Sequence, residues 1–127
     1  MKVLYIGGTG EISYSCVVES LKLGHDVTVL NRGQTEQELP AGVRSIAGNL
    51  EQASAYEAVA SERFDSVCQF FAFDEARVER DIATFGGLTA QYVFISSASV
   101  YAKPIDRFER ITEATPAHNP FWEYSQK

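Results

Sequence analysis

The sequence predicts an α/β fold, a doubly wound parallel sheet with helices on both faces. Two observations carry this expectation: apolar, β-rich runs recur roughly every 20 residues, and helical periods lie between most of them. The fourth run, Val67-Cys68-Gln69-Phe70-Phe71, is nearly continuous in apolar residues, as expected of a strand covered on both sides. Right-handed crossovers leave few topologies for such an order. The 127 residues are one domain's length, and 45% hydrophobic with 22% charged residues excludes disordered and fibrous classes.

Each element has a local cause. Val3–Ile6 is a short strand run that ends in Gly7-Gly8-Thr9-Gly10. Glu11 to Leu23 places Ile12, Cys16, Val17 and Leu21 near one helical face, and Gly24 stops it. Val27–Leu30 follows as the second strand, and Val43–Ala47 is the third after a polar loop from Asn31 to Gly42. Glu51 to Arg63 has helical composition, with Tyr56 and Val59 on one side. Ser66–Ala72 reads as a buried strand, and Asp74 to Phe85 as a helix with Val78, Ile82 and Phe85 on its apolar face. The fifth strand lies within Gln91–Ser96. From Ala102 to Phe121 the pattern dissolves, because Pro104, Pro116 and Pro120 each disfavour helix before them. Glu123 to Lys127 reads as the start of another helix.

Charge and cysteine usage exclude several partners. Seventeen Asp+Glu against eleven Lys+Arg give a net charge of −6, which disfavours a nucleic-acid partner held by phosphate neutralisation. Cys16 and Cys68 read as buried free thiols in a reducing compartment. No apolar run suits a signal peptide or a membrane span, so a soluble, cytoplasmic chain is expected. Two isolated histidines and two cysteines do not make a metal site.

Gly7-Gly8-Thr9-Gly10-Glu11-Ile12-Ser13 lies between the first strand and the first helix, where a dinucleotide fingerprint belongs. The first glycine permits the tight turn, and Gly10 lets backbone approach a pyrophosphate at the helix N-terminus. Gly7, Thr9, Gly10, Glu11 and Ile12 are the candidate cofactor-binding residues of this segment. Ser13 is small enough for close helix–strand packing. The second strand continues into Asn31-Arg32-Gly33, with no carboxylate for a ribose 2′-hydroxyl. Arg32 beside Asn31 is suited instead to a 2′-phosphate, so NADP(H) is preferred over NAD(H).

Together Ile6–Ser13, Val29–Gly33, Gly48-Asn49-Leu50, Val93–Tyr101 and the segment from Glu113 to Tyr124 resemble an extended short-chain dehydrogenase/reductase. The group is that of the NAD-dependent epimerases/dehydratases, and the resemblance is to its N-terminal, Rossmann part. It implies that Asn49 and Leu50 approach the adenine, and that Phe70, Phe71 and Ala72 line the cofactor cleft. It also implies that Ser97, four residues before Tyr101, orients the reacting oxygen, and that Tyr124 opens a Tyr-x-x-x-Lys motif as the acid–base residue. A nearby positive charge would bring a tyrosine of ordinary pKa near 10 into range.

The sequence departs from the group's pattern at several positions. Ser13 replaces the third glycine, Glu11 an apolar residue, and Asn49 a common aspartate. The motif's lysine would stand at position 128, whereas Lys127 sits three residues after Tyr124. Residues 1–127 are thus expected to form an incomplete NAD(P)-binding domain without its substrate-binding part, and to be inactive alone. The implied parent is an oxidoreductase, epimerase or dehydratase acting on a nucleotide-sugar or similar polar substrate. A noncatalytic dinucleotide-binding, redox-sensing or RNA-associated module is the alternative. The expected partners are the dinucleotide and a small polar substrate, with no nucleic acid and no membrane; a homodimer is compatible with them.

Overall fold

A computed structural model describes residues 1–102 and 110–119. Two compact units divide the chain, Met1–Ile95 and Ser96–Lys127. The first holds a five-stranded sheet, β1 (Lys2–Ile6), β2 (Asp26–Asn31), β3 (Arg44–Ala47), β4 (Phe64–Gln69) and β5 (Thr89–Phe94). All neighbouring strands are parallel, in the order β3-β2-β1-β4-β5. Two α-helices, α1 (Glu11–Lys22) and α2 (Glu75–Phe85), accompany them. This is the doubly wound arrangement expected from the alternation.

The period of two along β1 divides the core. Val3 and Tyr5 point to one side, pair in register with Val27 and Val29 of β2, and pack with Val17 of α1. Leu4 and Ile6 point to the other side and join Leu30, Val67, Leu50, Tyr56, Val59 and Phe85. Both layers exclude water almost completely, so β1 and β2 carry apolar residues at consecutive positions. Asp74 caps α2, its carboxylate accepting from Arg77 N at 2.9 Å.

Several elements differ from expectation. Glu51 to Arg63 forms no α-helix: a 3-10 turn at Ala53–Tyr56 leads into further turns. Bonds reach back three residues, as in Ala55 N to Gln52 O at 3.2 Å and Val59 N to Tyr56 O at 3.0 Å. The segment folds onto the end of β3, where a Cβ on Gly48 would stand 2.8 Å from Ala55 Cβ. Packing of Leu50, Tyr56 and Val59 into the core overrides helical composition there. β4 ends at Gln69, so Phe70 to Ala72 leave the sheet rather than extend it.

Two helical faces are rotated from their predicted positions. Ile12 is 70% exposed, and Ser13 is buried in its stead. Ile82 is 63% exposed, while Asp81 beside it is fully buried. In both cases a polar side chain reaches a hydrogen-bonding site beneath the helix that an apolar one would leave unsatisfied. Cys16 and Cys68 are half-buried rather than buried, and both are free.

The second unit begins with a 3-10 turn at Ala98–Val100. Ala102 N donates to Pro116 O at 2.8 Å, and buried Asn119 donates through Nδ2 to Ser99 O at 2.8 Å. Among the described residues, no helix is long and apolar enough to cross a membrane.

Candidate functional site

Strand order reverses at β1: β2 and β3 lie to one side, β4 and β5 to the other. Connections therefore leave the carboxyl ends of β1 and β4 in opposite directions and open a crevice between them. A cavity of about 330 Å³ occupies that place. Gly7, Thr9 and Gly10 line it after β1, Asn31 and Arg32 at the end of β2, and Phe70 and Phe71 after β4. Leu50 closes one wall, and Gln34 and Thr35 complete the lining.

The glycine turn is shaped by tight contacts. Gly7 has φ of +87°, a left-handed conformation that side chains resist, and its N–H donates to Leu30 O at 2.8 Å. Gly8 is required for a different reason. A Cβ there would lie 2.8 and 2.9 Å from the two Val29 methyls, so only glycine lets the loop pass over β2. Gly10 caps α1, and the first intrahelical bond, Tyr14 N to Gly10 O, is 2.8 Å long.

Ser13 does what a third glycine could not. Its hydroxyl accepts from Gly10 N at 3.0 Å and has Gly7 O at 2.8 Å and Gly10 O at 3.1 Å as acceptors. The turn is thereby closed on itself through one buried side chain. A Cβ on Gly10 would meet only Ser13 Oγ, at 3.4 Å, so the backbone is bare where it faces the cavity. The first amides of α1 have no intrahelical partner and carry the positive end of its dipole. An anionic group in the cavity would be stabilised there.

The opposite side is aromatic and cationic. Phe70 N donates to Ile6 O at 3.0 Å, and Phe71 N to Gln69 Oε1 at 2.6 Å. The Arg32 guanidinium lies 5.7 Å from the Phe71 ring centroid, and that of Arg77 lies 5.6 Å from it. Arg77 also pairs with Asp74 and Glu51. Buried Asn31 holds the loop after β2, its Oδ1 accepting from Gly33 N at 2.8 Å. Hydroxyls of Thr9 and Thr35 meet at 2.8 Å across the two loops. A second cavity of about 370 Å³ shares Thr9, Asn31 and Thr35, and Glu38 lines it.

Eight of the twelve candidate cofactor residues thus border one cavity: Gly7, Thr9, Gly10, Asn31, Arg32, Leu50, Phe70 and Phe71. Glu11 and Ile12 form the exposed first turn of α1, and their side chains do not line it. Asn49 is exposed and caps its own turn, accepting from Glu51 N at 3.1 Å, while Ala72 is buried away from the lining. Sequence reasoning passed over Gly8, Gln34 and Thr35. The double glycine is a legible signal for the first; nothing local marks the other two. Ser97, in the second unit, is exposed and caps the 3-10 turn there, its Oγ accepting from Ser99 N at 3.2 Å. Tyr124 lies outside the described residues.

No family model matches the sequence. A curated relative, the 2′-dehydrokanamycin reductase of Streptomyces kanamyceticus, is 31% identical over 125 residues, 98% of this chain and 34% of that protein. Among solved structures, UDP-glucose 4-epimerase of Bifidobacterium longum in complex with NAD+ and UDP superimposes with a TM-score of 0.78 at 20% identity. The alignment covers 99% of this chain and 45% of that one. The enzyme WbmG of Bordetella bronchiseptica in complex with NAD and UDP gives 0.76 at 18% identity, covering 99% and 46%. The chain therefore spans about a third of the curated relative (34%) and under half of these structures (45% and 46%). The structural neighbours are NAD-dependent epimerases/dehydratases, and the fold is that of their N-terminal portion.

Proposed function

We propose that this chain, which has the fold of the N-terminal portion of NAD-dependent epimerases/dehydratases, is the cofactor-binding part of an NAD(P)-dependent oxidoreductase, epimerase or dehydratase. One observation carries the reading: the cavity at the strand-order reversal gathers the glycine turn, the ends of β2 and β4, and the α1 N-terminus. Bare backbone at Gly10 suits a pyrophosphate, and Leu50, Phe70 and Phe71 offer apolar walls to the rings. Structural neighbours in complex with NAD, and a curated relative named as a reductase, support the same reading.

Arg32 makes NADP(H) the preferred cofactor. It is exposed and lines the cavity, placing a planar cation near the expected 2′-position. Glu38 in the adjoining cavity favours the second reading, NAD(H), since a carboxylate there would accept from a 2′-hydroxyl and repel a phosphate. Calorimetric titration with both nucleotides decides between them. A preference of about tenfold for NADPH, roughly 1.4 kcal/mol, is expected, because solvent screening weakens an exposed charged contact. Arg32→Ala should abolish that preference. Equal affinities in the unmutated protein would overturn the assignment.

The bound dinucleotide would supply the hydride donor or acceptor. Ser97 would hold the reacting substrate oxygen by a hydrogen bond, and Tyr124 would exchange a proton with it. The substrate class proposed is a nucleotide-sugar or a similar polar carbonyl or alcohol. Because residues 1–127 cover under half the length of these neighbours, the 127-residue polypeptide should bind nucleotide without turning substrate over. Nicotinamide absorbance during incubation with a panel of nucleotide-sugars tests this, and steady turnover would refute it. Salt-sensitive, sub-micromolar RNA binding would favour the noncatalytic alternative.

A further inference from the structure

Behind the Phe70–Phe71 wall lies a buried polar cluster that the cofactor reading does not use. Asp81 of α2, fully buried, accepts through Oδ2 from Gln69 Nε2 and from Tyr92 OH, the latter at 2.7 Å. Gln69, also fully buried, is the last residue of β4, and its Oε1 accepts from Phe71 N at 2.6 Å. The preceding helical residue, Arg80, donates through Nη1 to Leu50 O at 3.0 Å and through Nη2 to Tyr56 OH at 2.6 Å. Its guanidinium carbon stands 3.9 Å from the Tyr56 ring centroid. Two adjacent α2 residues are therefore tied to two walls of the cavity, Leu50 and Phe71, from behind.

The chemistry of the groups makes one orientation of Gln69 compulsory. A backbone N–H only donates, and Asp81 Oδ2 receives both Gln69 Nε2 and Tyr92 OH, so Gln69 turns its NH2 toward Asp81. Its oxygen is then left facing the Phe71 N–H, which needs an acceptor where the chain leaves the sheet. Reversing the amide would set oxygen against carboxylate and NH2 against N–H, losing both bonds at once in a buried site. Tyr92, whose phenol burial and Asp81 push up, stays protonated and donates to the same oxygen.

We propose that Asp81 is a positioning residue for the cofactor cavity, locking the Gln69 amide in the orientation that holds the Phe71 backbone in the cavity wall. The geometry is independent of the ligand; its consequence for nucleotide affinity rests on the dinucleotide reading. Asp81→Asn tests the lock, because an asparagine can donate as well as accept, so position 81 no longer fixes the Gln69 amide and only the Phe71 N–H still orients it; the 3.3 Å pairing of Asp81 Oδ1 with Arg80 Nη2 is lost with the charge. Tyr92→Phe is the comparison. It takes one hydrogen bond from the same carboxylate, lowering stability, but leaves the Gln69 amide oriented as before.

The measurements are amide hydrogen exchange by NMR on the 127-residue chain and calorimetric titration with NADPH and NADH. In the unmutated protein the Phe71 amide should be protected as well as that of Phe70, which donates to Ile6 O. In Asp81→Asn, protection at Phe71 should fall about tenfold more than at Phe70, and nucleotide affinity should fall about fivefold or more. Tyr92→Phe should lower the melting temperature without either change. Unaltered Phe71 protection in folded Asp81→Asn, or equal loss of affinity in both variants, would overturn the proposal. Should Asp81→Asn fail to fold, the unmutated protein still decides. Nuclear Overhauser contacts from the Gln69 side-chain NH2 must run to the Tyr92 ring, and contacts to the Phe71 amide instead would refute the lock. Absence of any nucleotide binding by the unmutated chain would sink the dinucleotide reading, while the exchange pattern would still judge the lock.

Discussion

Substituting Gly8 by alanine tests how the glycine turn is seated on the sheet. The new Cβ would stand 2.8 and 2.9 Å from Val29 Cγ1 and Cγ2, and 3.3 Å from Val17 Cγ2. Carbon pairs rest at ~3.5–4.0 Å, so each Val29 contact would be short by roughly 0.6–1.2 Å. Val29 is fully buried and β-branched, and turning χ1 still leaves one methyl against the new Cβ. Relief must come from the turn and the start of α1 lifting off β2. Overpacking of this kind costs about 1–3 kcal/mol, and with two rigid neighbours the upper half, about 2–3 kcal/mol, is expected. At about 3–5 °C per kcal/mol for a chain of this size, the melting temperature should fall by about 6–15 °C.

The decisive comparison is a double-mutant cycle. Val29→Ala alone removes both offending methyls and should cost about 2–3 kcal/mol in lost burial and cavity. In the double mutant the methyl introduced by Gly8→Ala enters the vacated space, so the total should fall short of the sum by at least ~1 kcal/mol. Denaturant unfolding followed by circular dichroism gives all three values. Additivity within ~0.5 kcal/mol would show that the two side chains do not meet, and the account of the double glycine would be wrong. Because Gly7, Thr9 and Gly10 line the cavity, Gly8→Ala should also weaken nucleotide binding more than Val29→Ala does.

Two further outcomes are expected. Ser13→Ala deprives the Gly10 N–H of its acceptor in a part-buried turn and should cost about 1 kcal/mol in denaturant unfolding, with unchanged stability refuting the closure of the turn through Ser13. Burial pushes up the Cys68 thiol from its ordinary 9.0 and the Tyr5, Tyr56 and Tyr92 phenols from 10.0. The unfolded chain then releases these protons first, so their contribution is intact below pH 9 and is lost as pH rises through 9, 10 and above. A melting temperature that stays flat from about pH 8 to about pH 11 would contradict that burial.

Much of the architecture was legible because its causes are local. Alternating strand runs and helical periods need only neighbouring residues, and the glycine turn announces itself through the conformations and close approaches that glycine alone permits. Gly7, Thr9, Gly10, Asn31 and Arg32 could be nominated from the residues themselves, since the ends of β1 and β2 meet at the glycine turn once the sheet is parallel, whereas Leu50, Phe70 and Phe71 followed only from the family resemblance. What periodicity misjudged was the direction of particular side chains. Ile12 and Ile82 fit an apolar stripe, yet Ser13 and Asp81 are the residues turned inward, because partners outside their helices, Gly7 O for the first and Gln69 and Tyr92 for the second, take up hydrogen bonds there. Likewise Glu51 to Arg63 has helical composition, but the fold onto Gly48 and the pull of Leu50, Tyr56 and Val59 into the core leave a 3-10 turn. Composition and spacing therefore determined the order of the strands' appearance and the place where the turn meets the sheet. Only the tertiary structure decided which polar groups are buried, because an unsatisfied hydrogen bond beneath a helix is set by residues that the chain brings together after folding.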